Sequence, residues 1–148
     1  LPFKTMPIET THADYTISED RARLDLDAIH SYLSRSYWAA TRPREIIARS
    51  LENSLCIGVY APTGNQVGLA RIISDYATFA YLCDVYILED HRGRGLAKAV
   101  LRFINAHPRL QNLRRFQLVT QDAHGLYRQF GFTPITDPER HMERRTVS

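Results

Sequence analysis

Ile87-Leu88-Glu89-Asp90-His91-Arg92-Gly93-Arg94-Gly95-Leu96-Ala97-Lys98 joins two segments of different period. Before it, Ala77 to Leu88 is apolar on both faces: Phe79, Tyr81, Cys83, Val85 and Ile87 alternate with Ala80, Leu82, Tyr86 and Leu88, which predicts a central strand covered on each side. After it, Gly95 to Ala106 sets Leu96, Val100, Leu101 and Ile104 at helical spacing, with Pro108 as a stop. The joining residues are therefore a strand-to-helix turn. Gly93 and Gly95 lack a Cβ, so the backbone can turn tightly and aim successive N–H groups at one point, and the helix dipole adds to them. Such a nest suits phosphate oxygens, and Arg92, Arg94, Lys98 and His91 surround it with donors.

The turn fits neither common nucleotide fingerprint. Gly93-x-Gly95-x-x is followed by Lys98 where a dinucleotide fingerprint needs Gly or Ala, and no acid lies in Leu110 to Gln121 to hold a ribose. The spacing of a Walker loop is absent too.

Upstream, Leu24 to Leu33 and Arg44 to Leu51 have helical apolar spacing, the second started by Pro43. Leu55 to Tyr60 and Val67 to Ile73 read as strands of a hairpin closed by Ala61-Pro62-Thr63-Gly64-Asn65. Downstream come a strand at Phe116 to Thr120 and a short helix at Ala123 to Phe130, closed by Gly131. The tail from Phe132 is expected to add one or two edge strands, broken by Pro134 and Pro138. No repeat or linker divides the 148 residues, so one α/β domain over residues 1–148 is expected.

Composition narrows the function. With 44% apolar and 24% charged residues the chain can bury a core, and no run approaches the roughly 18 apolar residues of a membrane span. Leu1 to Thr10, with Lys4, two prolines and Glu9, does not read as a secretory signal, and Cys56 and Cys83 sit among apolar neighbours as core thiols, with no metal-ligand spacing. A reducing, cytoplasmic setting is expected. Residues 1–91 carry 8 basic and 12 acidic side chains, residues 92–148 carry 11 and 4. The basic part calls for an anion. Its arginines lack interleaved aromatics or a base-recognition motif, so neither nucleic acid nor membrane is the expected partner.

Arg92-Gly93-Arg94-Gly95-Leu96-Ala97 resembles the Arg/Gln-x-x-Gly-x-Gly/Ala signature of the GNAT superfamily, and Leu126-Tyr127-Arg128-Gln129-Phe130-Gly131-Phe132 resembles its Leu-Tyr-x-x-x-Gly-Phe segment. The order of elements is similar across nearly the whole chain. This resemblance implies a mixed, mostly antiparallel sheet with a splayed central strand and flanking helices. It implies an N-acetyltransferase that uses acetyl-CoA as co-substrate and acts on a small-molecule or peptide amine by direct attack. A non-catalytic acyl-CoA-binding or sensor module stays open, and a homodimer is a further implication.

Position by position, the resemblance puts the CoA pyrophosphate on the backbone of Arg92, Gly93, Arg94, Gly95, Leu96 and Ala97. It runs the pantetheine arm along Val85, Tyr86 and Ile87, with Thr120 to Ala123 across the gap. Tyr127 matches the position whose phenol protonates the departing thiolate; its residue-level alternative is packing beside Phe130 and Phe132. Tyr37, Trp38 and Arg42 match the region covering the acceptor, where Trp38 is an aromatic wall or a cap on the core. For proton removal Asp84 is the first candidate, because a carboxylate within an apolar strand is costly unless paired or functional, the alternative being a partner such as Arg71. Glu89 and His124 are its rivals. The acidic N-terminal part favours a cationic amine as acceptor.

Overall fold

A computed structural model describes residues 5–146. Residues 1–4 of the stretch judged against a secretory signal, and 147–148 at the end of the tail, lie outside the described residues. Six strands form one sheet: β1 (Glu9–His12), β2 (Tyr15–Ser18), β3 (Leu55–Tyr60), β4 (Gln66–Ser74), β5 (Phe79–Ile87) and β6 (Arg115–Leu118). They lie in chain order, every neighbouring pair antiparallel except β5 and β6, which are parallel and joined through α3 (Leu96–Ala106). A parallel pair needs such a crossover.

Helices cover both faces. On one face α3 buries Leu96, Val100, Leu101 and Ile104 against Ile57, Ile72 and Leu82, each such side chain contributing roughly 1.5–3 kcal/mol. On the other, α1 (Leu26–Leu33) and α2 (Arg44–Glu52) pack Ile29, Leu33, Ile47 and Leu51 on Cys56, Leu69 and Tyr86. Asp25 starts α1 by accepting the Ala28 N–H at 3.1 Å. A fourth helix, α4 (His124–Arg128), brings Tyr127 into the α3 layer.

Two local irregularities of the sheet shape the site. Arg71 lies opposite Cys83 but Leu69 lies opposite Tyr86, so two residues of β5, Asp84 and Val85, face the single Ala70 of β4. Asp84 takes φ +50° at this bulge. The bulge flips the side-chain alternation of β5: Ala80 and Leu82 face the α3 layer, and beyond it Val85 and Ile87 do. Strict alternation would set Asp84 on the face of Leu82. Second, the β5–β6 pairing ends at Leu82 with Leu118, while β5 continues to Ile87. The two strands separate there, which is the splay implied above.

The β1–β2 hairpin was not expected, and no strand forms among the described residues of the tail, where a short 3-10 turn at Pro138–Arg140 is the only regular element. Pro134 and Pro138 remove ladder donors at close spacing, so the tail stays irregular. The hairpin in turn secures both ends of α3. His12 and Tyr15 reach the turn before the helix, and Glu19 just past β2 reaches His107 just past it. His107 is buried; its Nδ1 accepts the Arg109 N–H at 3.1 Å, so Nε2 carries the proton given to Glu19 Oε1 at 2.6 Å.

Candidate active site

Where β5 and β6 part, a cavity of about 1120 Å³ opens. Val85, Tyr86 and Ile87 form one wall and Thr120 to Ala123 with Tyr127 the other. The glycine turn closes one end; Tyr37, Trp38, Arg42 and Asp84 line it as well. Residues separated by up to 113 positions in sequence, Tyr32 and Arg145, thus share one space. Of the turn residues expected around a phosphate, Arg92, Gly93, Gly95, Leu96 and Ala97 line the cavity, joined by Lys98 and His91. Arg94 does not line it: its carbonyl accepts from His12 Nε2 at 2.8 Å, which ties the turn to β1.

The turn has the form an oxyanion requires. Gly93 and Gly95 both adopt φ +78°, left-handed backbone that costs a residue with a Cβ roughly 1–2 kcal/mol. A Cβ on Gly95 would also press on His12 Nε2 at 3.3 Å. Gly95 caps α3 without a side-chain hydrogen bond, and the first turn holds no acid. The first-turn N–H groups and the dipole of α3 are therefore not neutralised by side chains of the helix itself. Arg92 serves differently from the expected phosphate donor. Its Nε donates to the Ile87 carbonyl at 2.9 Å and its Nη2 to the Tyr32 hydroxyl at 3.1 Å, so it clamps the end of β5 to α1.

Across the gap, the Thr120 hydroxyl accepts the Ala123 N–H at 3.1 Å and turns the chain into α4. Tyr127 then points its ring into the core edge-on to Phe132, centroids 5.9 Å apart, while it also lines the cavity. Packing and cavity contact thus occur together. Burial pushes its phenol up to about 12, with Tyr37 and Asp122 adding in the same direction, so the group holds its proton at neutral pH.

Asp84 lies in the wall, its side chain 1% exposed, and both oxygens are engaged. Oδ2 accepts from Arg71 Nε at 2.8 Å and Arg42 Nη1 at 3.0 Å, and Oδ1 from Trp38 Nε1 at 2.8 Å. The arginine-paired alternative is the arrangement found, with Arg42 as a second partner. Trp38 is accordingly both wall and anchor, edge-on to Tyr37 at 5.1 Å. Of the rivals, Glu89 is outside the cavity lining and bonded by Arg35 at 2.6 Å, which lowers its carboxyl to about 2. His124 is exposed at the start of α4 and does not line the cavity.

His12, Tyr15 and Arg35 were not expected at the site; their roles depend on chain crossings that no local spacing encodes. Tyr15 donates to or accepts from His91 Nδ1 at 2.7 Å. Both cysteines are free thiols, Cys56 buried and Cys83 half-buried. Among the described residues no helix is long and apolar enough to cross a membrane.

Residues 52–134, more than half of the chain, match the acetyltransferase (GNAT) domain family. A Gibberella zeae protein that bears an acetyltransferase name is 37% identical over 143 residues, covering 83% of this chain and 81% of that one. The crystal structure of a Xanthomonas campestris pv. campestris protein described as belonging to the GNAT family superposes with a TM-score of 0.87 at 50% identity, covering 89% of this chain and 93% of that one. Glucosamine-6-phosphate N-acetyltransferase from Arabidopsis thaliana shares the fold alone, with a TM-score of 0.62 at 14% identity over 90% of this chain and 99% of that one. The family match over residues 52–134 and the first two of these relatives together show that this chain belongs to the GNAT acetyltransferases.

Proposed function

We propose that the protein is an N-acetyltransferase that moves the acetyl group of acetyl-CoA to a primary amine by direct attack in a ternary complex, in the cytoplasm. One observation carries this: an uncapped, acid-free glycine cradle and a buried, protonated tyrosine share one cavity at the strand splay. The cradle at Arg92 to Ala97 fits a pyrophosphate through backbone N–H groups, with Lys98 beside it. Val85 and Tyr86 offer the exposed strand edge for the pantetheine arm. Ile87 offers less, because Arg92 already occupies its carbonyl. Acetyl-CoA supplies the acetyl group as an activated thioester.

As the amine nitrogen bonds to the thioester carbonyl carbon and the C–S bond breaks, Tyr127 gives its phenolic proton to the leaving sulfur. The proton the amine gives up passes to water, from which the phenolate is reprotonated. The raised pKa of Tyr127 suits this role because the neutral form is the one present. Tyr37 and Trp38 wall the acceptor end. Asp84 positions Arg42 and Trp38, its oxygens already taken by three donors. No residue is assigned as a covalent nucleophile, and the two thiols, both pushed up to about 11 by burial, are poor ones.

Calorimetry with acetyl-CoA on Gly95→Trp tests the cradle. Affinity is expected to fall about a hundredfold or more, since the side chain both strains a left-handed position and fills the anion nest. Unchanged affinity in a variant with native melting would remove the cradle from the proposal. Single-turnover transfer from acetyl-CoA to a panel of amines separates an enzyme from a binding module, which would bind without releasing CoA. Glu89→Gln is expected to change kcat/KM by less than about twofold, because it breaks only an exposed ion pair with Arg35.

A further inference from the structure

The charge at the acceptor end is out of balance. Asp84 is a single carboxylate held between two guanidinium groups, Arg71 with its side chain 10% exposed and Arg42 at 25%. The thiols nearest Arg71, Cys56 and Cys83, are held neutral by burial and supply no counter-charge. Arg71 turns its Nη1 to the Ser54 hydroxyl at 3.0 Å, a neutral partner. The cluster therefore keeps one positive charge in a poorly solvated wall, a costly arrangement unless an anion joins it.

The rest of the cavity does not correct this. Its lining includes Arg35, Arg42, Arg71, Arg92, Lys98 and Arg145, against the carboxylates Asp84 and Asp122. Arg35 is matched by Glu89, Arg145 by Glu143 at 3.5 Å, and Lys98 stands beside the cradle. Asp122 is exposed on the loop before α4, across the gap. Arg92 gives its guanidinium to two neutral oxygens, the Ile87 carbonyl and the Tyr32 hydroxyl, beside the glycine turn, so its charge belongs with Lys98 to the cradle end. At the acceptor end the unmatched charge is that of Arg42 and Arg71 around Asp84.

We propose that the acceptor amine carries an anionic oxygen group, carboxylate or phosphate, and that Arg42 is the residue that receives it. Asp84 reaches Arg42 through Nη1, which anchors the guanidinium at the cavity wall beside Trp38 and Tyr37. A guanidinium so anchored is suited to a planar or tetrahedral oxyanion. The same positive field disfavours the ammonium form of the incoming amine, so it also eases formation of the neutral nucleophile. This reverses the cationic acceptor expected from charge along the chain: of the twelve acidic side chains in residues 1–91 only Asp84 lines the cavity, and Glu9, Asp27 and Glu89 are paired with Arg23, Arg44 and Arg35.

The inference rests on the acetyltransferase assignment, and its test separates the two. Matched acceptors differing in one charge are compared: α-amino acids with their carboxamides, and phosphoethanolamine with ethanolamine. In at least one pair the anionic member is expected to show a kcat/KM higher by about tenfold or more, and Arg42→Gln to collapse that ratio towards one while Arg42→Lys keeps part of it. Preference for the neutral or cationic member in every pair overturns the inference and leaves the acetyltransferase in place. So does a ratio that survives Arg42→Gln in a variant with native melting. Calorimetry of the N-acetylated acids and amides with CoA-loaded protein gives the second readout. Tighter binding of the acids, lost in Arg42→Gln, supports the anion site even if no amine is turned over, and it would then be the acetyltransferase assignment that fails.

Discussion

Tyr127→Phe is expected to lower kcat by about 10²-fold or more while the affinity for acetyl-CoA stays within about twofold. The substitution keeps the ring that packs edge-on against Phe132, so the α4 contact with the core survives and only the proton is lost. With its phenol pushed up to about 12, wild-type Tyr127 stays protonated throughout the range in which the protein is handled. A proton donor of that kind produces no fall in rate between about pH 7 and 10, so any rising limb there belongs to the deprotonation of the acceptor amine. The variant should therefore keep the shape of the wild-type pH profile and lose its height. Rapid-quench measurement of the chemical step is the appropriate check, since slow product release would hide the effect in the steady state. A chemical step of wild-type speed in Tyr127→Phe would leave Tyr127 a packing residue that happens to face the cavity.

The elements with long, strongly periodic sequences were legible, and those built from short ones were not. α3 was expected from Gly95 to Ala106 and runs Leu96–Ala106, because its apolar stripe and the glycine before it give period and boundary together. β3 was expected at its observed limits, Leu55–Tyr60. β1 and β2 have four residues each, too few to establish a period, and their turn carries its positive φ on Ala13 in place of the Gly or Asn that signals a hairpin. The site followed the same division. The glycine turn and Tyr127 were visible because each is a compact local pattern. Arg71 and Arg42 around Asp84 were only half visible: one cross-strand neighbour could be guessed, but the bulge that brings Asp84 towards α1 and α2 adds a residue to β5 without altering its composition. A charge sum along the chain does not describe the cavity for a related reason. Ion pairs cancel in space, and sequence position does not say which charges meet.

Asp84→Asn is expected to lower the unfolding free energy by about 3 kcal/mol, with Asp84→Ala lower still. Asparagine is nearly isosteric and can still accept from Trp38 through its carbonyl oxygen, but it leaves Arg42 and Arg71 facing one another without the negative charge between them. For a domain of this size that loss corresponds to a fall in Tm of roughly 10 °C. Alanine removes the acceptor as well, so the indole N–H of Trp38 and the Arg71 Nε both lose their partner in a wall with little access to water. A double-mutant cycle with Arg71→Met identifies the cause. In the Arg71→Met background one of the two competing charges is gone, and Asp84→Asn should cost markedly less than it does alone, a coupling of about 1 kcal/mol or more. If Asp84 instead served only to accept a proton from the amine, Asp84→Asn would melt with the wild type, show no coupling to Arg71, and differ only in rate. That outcome would return Asp84 to the chemistry and take from Arg42 the support that holds it at the cavity wall.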